Sequence, residues 1–199
     1  MKEGSTWGRF PGSGGRSAGP SGLGRAAIAM MGGCVLTGCG LVGGPKTFQQ
    51  DVPNTIIVTS PVLSQGVIPQ RYTCHGAKLS PPIHWSGAPP GTKALALVVD
   101  DSSTPITPFI YWIVFDINPE TSDIQEGQLP PLARQASNSA GRADYDPLCP
   151  RSPGHAYRFT VYAMGSFLNL PNGTAVGSAW SGIAKAAIAR GRLTGVADP

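Results

Sequence analysis

From residue 55 onward, apolar and polar positions fall into short runs broken by turn-forming residues. Four of them, TIIVTSPV (55–62), KALALVVD (93–100), FIYWIVFDI (109–117) and HAYRFTVYAM (155–164), are rich in β-branched and aromatic side chains. Each is bounded by Pro, Gly, Asn, Asp or Ser, and that combination predicts strands. A different period appears near the end, where Trp180, Ile183, Ala184, Ala187 and Ile188 stand at i, i+3, i+4, i+7 and i+8, the stripe of one helix face. It predicts a single helix over 178–190 with Ser178 as N-cap and Gly191 as terminator, its stripe turned to the core, then a short last strand over 192–197. Prolines, among them Pro81-Pro82, Pro89-Pro90 and Pro130-Pro131, exclude long helices through the middle. The fold class that follows is mainly β, an antiparallel β-sandwich with long Pro-rich loops.

The chain before residue 55 has a different character. Residues 1–25 are glycine-rich and nearly devoid of large apolar side chains, so they bury too little to offset the cost of ordering. AAIAMMGGCVL (26–36) would span about 16 Å as a helix, against roughly 30 Å for a hydrocarbon core. A basic residue, a short apolar run and then small residues is the layout of a secretory signal. The run ends in Leu36-Thr37-Gly38-Cys39, which resembles the lipobox of bacterial lipoproteins, where the cysteine accepts a diacylglyceryl group and becomes the mature N-terminus. The expectation is a signal peptide over 1–38, a lipid on Cys39, a tether over 39–54 and one domain over 55–199. The protein would then sit at the outer face of the cell membrane by its lipid anchor, with ordinary signal cleavage and secretion as the alternative. Two or more acyl chains anchor stably where one binds only marginally.

Placing the leader changes the meaning of the charge. The 199 residues carry a formal net charge of +4, yet Lys2, Arg9, Arg16 and Arg25 face only Glu3 in the leader. The remainder is close to neutral. No basic stripe interleaved with aromatics is present there, so nucleic acid is not an expected partner. With 41% apolar and 13% charged residues, the chain is not of the disordered class. The leader also sorts the cysteines. Cys34 leaves with the signal and Cys39 takes lipid, so Cys74 and Cys149 remain as a pair, first read as a disulfide in an oxidising compartment. Zinc on Cys74, His75, Cys149 and His155 is the rival reading, although neither half shows C-x-x-C or H-x-x-x-H spacing. A redox couple lacks C-x-x-C as well.

Catalytic signatures are sparse. The G-x-S-x-G at 15–19 lies in the leader, without the strand before and helix after that a nucleophile elbow requires. Asp101 and His155 would make a general-base pair but lack a positioned serine or thiolate. No enzyme activity and no cofactor is expected.

Three blocks carry a resemblance. The first is IPQRYTCHGAKLSPPIHW (68–85), similar to an IP-x-x-YTC-D-G-x-x-x-SPP-x-x-W opening. The second is LALVVDDSSTPITPFIYWIVFDI (95–117), similar to a strand, a D-P-D-x-P loop and an HW strand. The third runs from Asn138 through YDPLCPRSPGHAYRFTVYAM (145–164), similar to N…Y-x-GP-x-PP…H-x-Y-x-F-x-x-YA. In order and spacing these resemble the phosphatidylethanolamine-binding protein family, in particular its bacterial Raf-kinase-inhibitor-like branch. The resemblance implies a β-sandwich with a small anion pocket that accepts phosphate-like groups and phospholipid headgroups.

Carried over residue by residue, Asp101 stands at the first acid of the loop, Pro105 at its proline, His155 at the histidine of the third block and Tyr157 at its tyrosine. Pro147 and Cys149-Pro150 would shape the adjacent loop. The sequence departs from the pattern at several points. Ser103 replaces the second acid, Tyr111 the histidine before Trp112, Asp146 a glycine and His75 an aspartate. Tyr111 can donate one hydrogen bond but cannot become cationic near neutral pH. The implied function is an exported binding protein for a small anionic or phosphorylated ligand, such as a phospholipid headgroup, with a partly degenerate pocket. The alternative is a non-catalytic interaction or inhibitor module that keeps the fold without binding anions and acts on a protein partner. The oligomeric state is left open.

Overall fold

Each of the four apolar runs contains a strand in the computed structural model, which describes residues 51–101, 103 and 108–199. The leader, Cys39, most of the tether and Pro105 lie outside the described residues. In chain order the elements are β1 (Ile57–Thr59), β2 (Ile83–Ser86), β3 (Ala94–Asp101), β4 (Ile110–Ile117), β5 (Asp123–Ile124), β6 (Arg134–Gln135), β7 (His155–Met164), α1 (Val176–Ala186) and β8 (Ala187–Ala197). They form two antiparallel sheets, β1-β2-β5 and β6-β4-β3-β7-β8.

Side-chain alternation divides the larger sheet into two apolar faces. Leu95, Leu97 and Val99 of β3 and Tyr157, Phe159 and Val161 of β7 pack with Val58, Ile83, Trp85 and Ile124 of the smaller sheet. Ala94, Ala96 and Val98 of β3, Ile113 and Phe115 of β4 and Met164 of β7 pack with Ala179 and Ile183 of α1. β3 and most of β4 are therefore buried on both faces, which is why their sequences are nearly continuous apolar runs rather than alternating ones.

The helix is shorter than the periodicity predicts. It begins at Val176, two residues before Ser178, so Ser178 lies within the first turn with its N–H donated to the Ala175 carbonyl at 3.0 Å. It ends at Ala186, because Ala187 turns extended and pairs with Met164. Ile188 thus belongs to a strand. The last strand is also not short: β8 has 11 residues and is paired with β7 along its length. Gly191 does not terminate the helix but lies within this strand, where a Cβ would stand 1.9 Å from the Ile56 carbonyl oxygen. Tertiary pairing along an entire strand overrides a helical period carried by small residues.

Candidate functional site

The larger sheet delivers three of the expected site residues from adjacent strands. Asp101 closes β3, His155 opens β7, and Tyr111 lies near the start of β4. The register pairs Asp101 with Tyr157, two residues after His155, so the histidine stands beside the end of β3. His155 Nε2 lies 2.8 Å from Asp101 Oδ2, with both side chains largely buried. The carboxylate thereby fixes the ring orientation and leaves Nδ1 as the nitrogen for a ligand.

A cavity of about 540 Å³ opens over this pair, lined by Asp101, Phe109, Tyr111 and His155 from the sheet and by Asp146, Pro147 and Cys149 from the loop before β7. Cys74, Lys78 and Arg151 complete the wall. Tyr157 is placed beneath rather than in the lining. Its ring meets Tyr111 edge-on at 5.4 Å and His155 at 4.9 Å, and its hydroxyl is buried beside that of Tyr111. Burial, with Tyr111 next to it, drives the Tyr157 hydroxyl far above its ordinary range. Burial, then the Asp101 charge, also raises Tyr111. Both remain neutral donors at physiological pH.

The loop walls are pinned to the sheet. Cys74 and Cys149 form a disulfide, Cys74 N–H donates to the Leu148 carbonyl at 2.8 Å, and Tyr145 hydroxyl donates to the Tyr72 carbonyl at 3.1 Å. Asp146 N–H donates to the Tyr111 carbonyl at 3.0 Å. In the zinc reading, His75 does lie beside the two sulfurs, all three ligand-type atoms within 4.8 Å of one another. The disulfide takes up both thiols, and the fourth residue, His155, is held by Asp101.

The departures from the family pattern acquire definite roles. Ser103 bridges the loop to β7: its N–H donates to Asp101 Oδ1 at 2.6 Å and its hydroxyl accepts from Ala156 N–H at 3.0 Å. Asp146 is paired with Arg142, which offsets the negative charge expected beside the ligand. Lys78 and Arg151 are two cations that motif reading missed. They sit in loops without periodicity, and Lys78 has a left-handed backbone (φ 62), a conformation often found at functional loops.

The model of the family described as phosphatidylethanolamine-binding protein matches residues 58–197, nearly all of the described chain. The chain belongs to the phosphatidylethanolamine-binding protein family. Among relatives of this family member, LppC of Mycobacterium tuberculosis (strain H37Rv), named as a candidate lipoprotein, is 35% identical over 191 residues, covering 87% of this chain and 94% of that one. A UPF0098 protein of Methanothermobacter thermautotrophicus is 39% identical over 114 residues, covering 55% of this chain and 76% of its own. Of solved structures, the family homologue CT736 from Chlamydia trachomatis superposes with a TM-score of 0.67 at 32% identity, covering 73% of this chain and 99% of that one. Escherichia coli YbcL has the same TM-score and coverage at 24% identity, a likeness of fold. The antiparallel sandwich with a helix and a closing strand is the architecture expected of the family.

Proposed function

We propose that this family member is an exported, non-catalytic binding protein for a small anionic or phosphorylated ligand of the phospholipid-headgroup class. It is held at the outer face of the cell membrane by a lipid on Cys39. The observation that carries the reading is the convergence of His155, Tyr111, Lys78 and Arg151 on one cavity of about 540 Å³. Such a site offers hydrogen-bond donors of four chemical kinds to an anion. A volume of that order suits a headgroup-sized molecule. The two loop cations offset the missing histidine at Tyr111. The likeness to a protein named as a lipoprotein supports the anchor.

Isothermal titration of the purified protein with phosphate, phosphoethanolamine and phosphoglycerol tests the ligand. Saturable binding that drops at least about tenfold in His155→Ala is expected, the loss of one charge-assisted hydrogen bond. Absence of heat with every anion, together with capture of a protein by the same face, favours the interaction-module reading. Ligand recovered chemically changed would overturn the non-catalytic part. Metabolic labelling with palmitate, abolished in Cys39→Ser, tests the anchor separately.

A further inference from the structure

We propose a second anion site on the opposite face of the larger sheet, where Arg158, Arg190 and Arg192 converge to take a phosphate-class group, carried by a lipid headgroup or free in solution. The register builds it. Arg158 faces Thr194, Thr160 faces Arg192 and Tyr162 faces Arg190 across β7 and β8, while Asp100 and Ala96 of β3 face Arg158 and Tyr162 from the other side. Residues directly opposite share a face, and positions two apart along a strand share it too. The three guanidiniums therefore occupy one side of two neighbouring strands. It is the helix side, away from the cavity, for Tyr157 and Phe159 point to the other.

Charge on this face is unbalanced. Asp100 is held in a two-pronged pair by Arg158, through Nε at 3.0 Å and through Nη2. Among the described residues most other carboxylates have partners elsewhere: Glu126 with Arg71, Asp144 and Asp146 with Arg142, Asp101 with His155, Asp123 with Gln125, Asp116 under the Leu168 and Asn169 amides, Asp198 under Gly154. Arg192 spends Nε on the Thr160 hydroxyl at 3.1 Å, and both burial and the Arg158 charge act against its protonated state. Arg190 Nη1 is buried and has no acceptor among the described residues. A buried guanidinium nitrogen without an acceptor carries an uncompensated desolvation cost. An oxyanion between Arg190 and Arg192 would supply the acceptor and the missing negative charge together, in the forked geometry that arginine presents to phosphate.

The place of this face in the chain favours a headgroup as the source, on the clause that the lipid on Cys39 proposed above is present. Pro53 and Ile56 hydrogen-bond the main chain of Arg190 itself. The residues between Cys39 and Pro53 can reach no farther than about 50 Å even at full extension. The arginines thus sit next to where the tether joins the fold.

The test uses the nitrogen-15-labelled full-length protein in phosphatidylcholine bicelles, first titrated with inorganic phosphate, then in bicelles doped with phosphatidylglycerol. Saturable shifts are expected at the amides of Arg158, Thr160, Arg190 and Arg192 in at least one arm. They should persist in His155→Ala and weaken roughly tenfold or more in Arg190→Gln, with Arg190→Lys retaining part of the affinity. Arg190→Gln removes the charge but leaves the main-chain bonds to Pro53 and Ile56. Should it fail to fold, the wild-type titration and Arg190→Lys decide. Response to phosphatidylglycerol assigns the headgroup; response to inorganic phosphate alone assigns a soluble phosphate and leaves the site standing whether or not Cys39 is lipidated. No response at these four amides in either arm, or shifts that vanish with His155→Ala, overturns the proposal.

Discussion

At the scale of single residues, the cavity is set by which groups stay neutral and which stay charged. Tyr111 replaces a cationisable side chain with a donor that burial keeps protonated. Tyr111→His should therefore tighten phosphate binding below about pH 6.5, where a histidine gains charge, and change it little at pH 8. Titration calorimetry at the two pH values reads the difference. Asp101, Tyr111, Asp146, Pro147 and His155 were legible as a constellation because they lie in motifs with fixed spacing, and the fold does bring them to one cavity. Lys78 and Arg151 were not legible. A lone cation in a loop has no period, and only the closure of two distant loops by Cys74 and Cys149 shows where it points.

At the scale of elements, long-range ties hold the loops. The Cys74–Cys149 bridge spans a sequence separation of 75. On the chain-entropy model, a crosslink of that length is worth about 4 kcal/mol. Reduction, or the pair Cys74→Ala with Cys149→Ala, should lower the melting temperature by about 10 °C and weaken anion binding, since both residues wall the cavity. A second tie joins the same loop to the turn after β5: Arg71 grips Glu126 with Nε at 3.1 Å and Nη2 at 2.6 Å, and Tyr72 hydroxyl donates to Glu126 at 2.6 Å. The Arg71 bonds, then that of Tyr72, lower the Glu126 pKa from 4.5 to about 2. A carboxyl depressed by folding stabilises fully above its unfolded value and loses that contribution as pH falls through its folded one. Glu126→Gln should therefore be less stable than the parent at pH 7, with the gap closing between about pH 4.5 and 2 in thermal melts. The effect is modest, because the pair is solvent-exposed.

The same scale shows what the hydrophobic pattern could and could not convey. β3, β4 and β7 were visible as apolar runs of eight residues or more. β5 and β6 are two residues each, too short to show any period. The start of β8 has a helical period because Ala187 and Ile188 continue the spacing set by Trp180 and Ile183, and small residues are compatible with either state. What decides is contact: Gly191 leaves room for the Ile56 backbone and Gly195 for Ile68 and Leu63. Gly191→Ala should cost about 3 kcal/mol or more in chemical denaturation, since the colliding atom is main chain and cannot swing aside.

For the molecule as a whole, the sheet separates two kinds of surface. One face ends in the cavity lined by Tyr111 and His155, the other in the arginines of β7 and β8, with β3 running between them. Period-two alternation alone puts adjacent acids Asp100 and Asp101 on opposite faces, each with its own cationic or cationisable partner. The net charge of the sequence hid this arrangement, because a sum over the chain carries no direction.

The main chain of Pro53 to Ile56 has a mechanical consequence. It lies parallel along the outer edge of β8, bonded on both sides of Arg190, and Ile68 N–H reaches the Val196 carbonyl farther along. A tug along that edge loads the Pro53 and Ile56 bonds together in shear instead of breaking them one at a time, as peeling would.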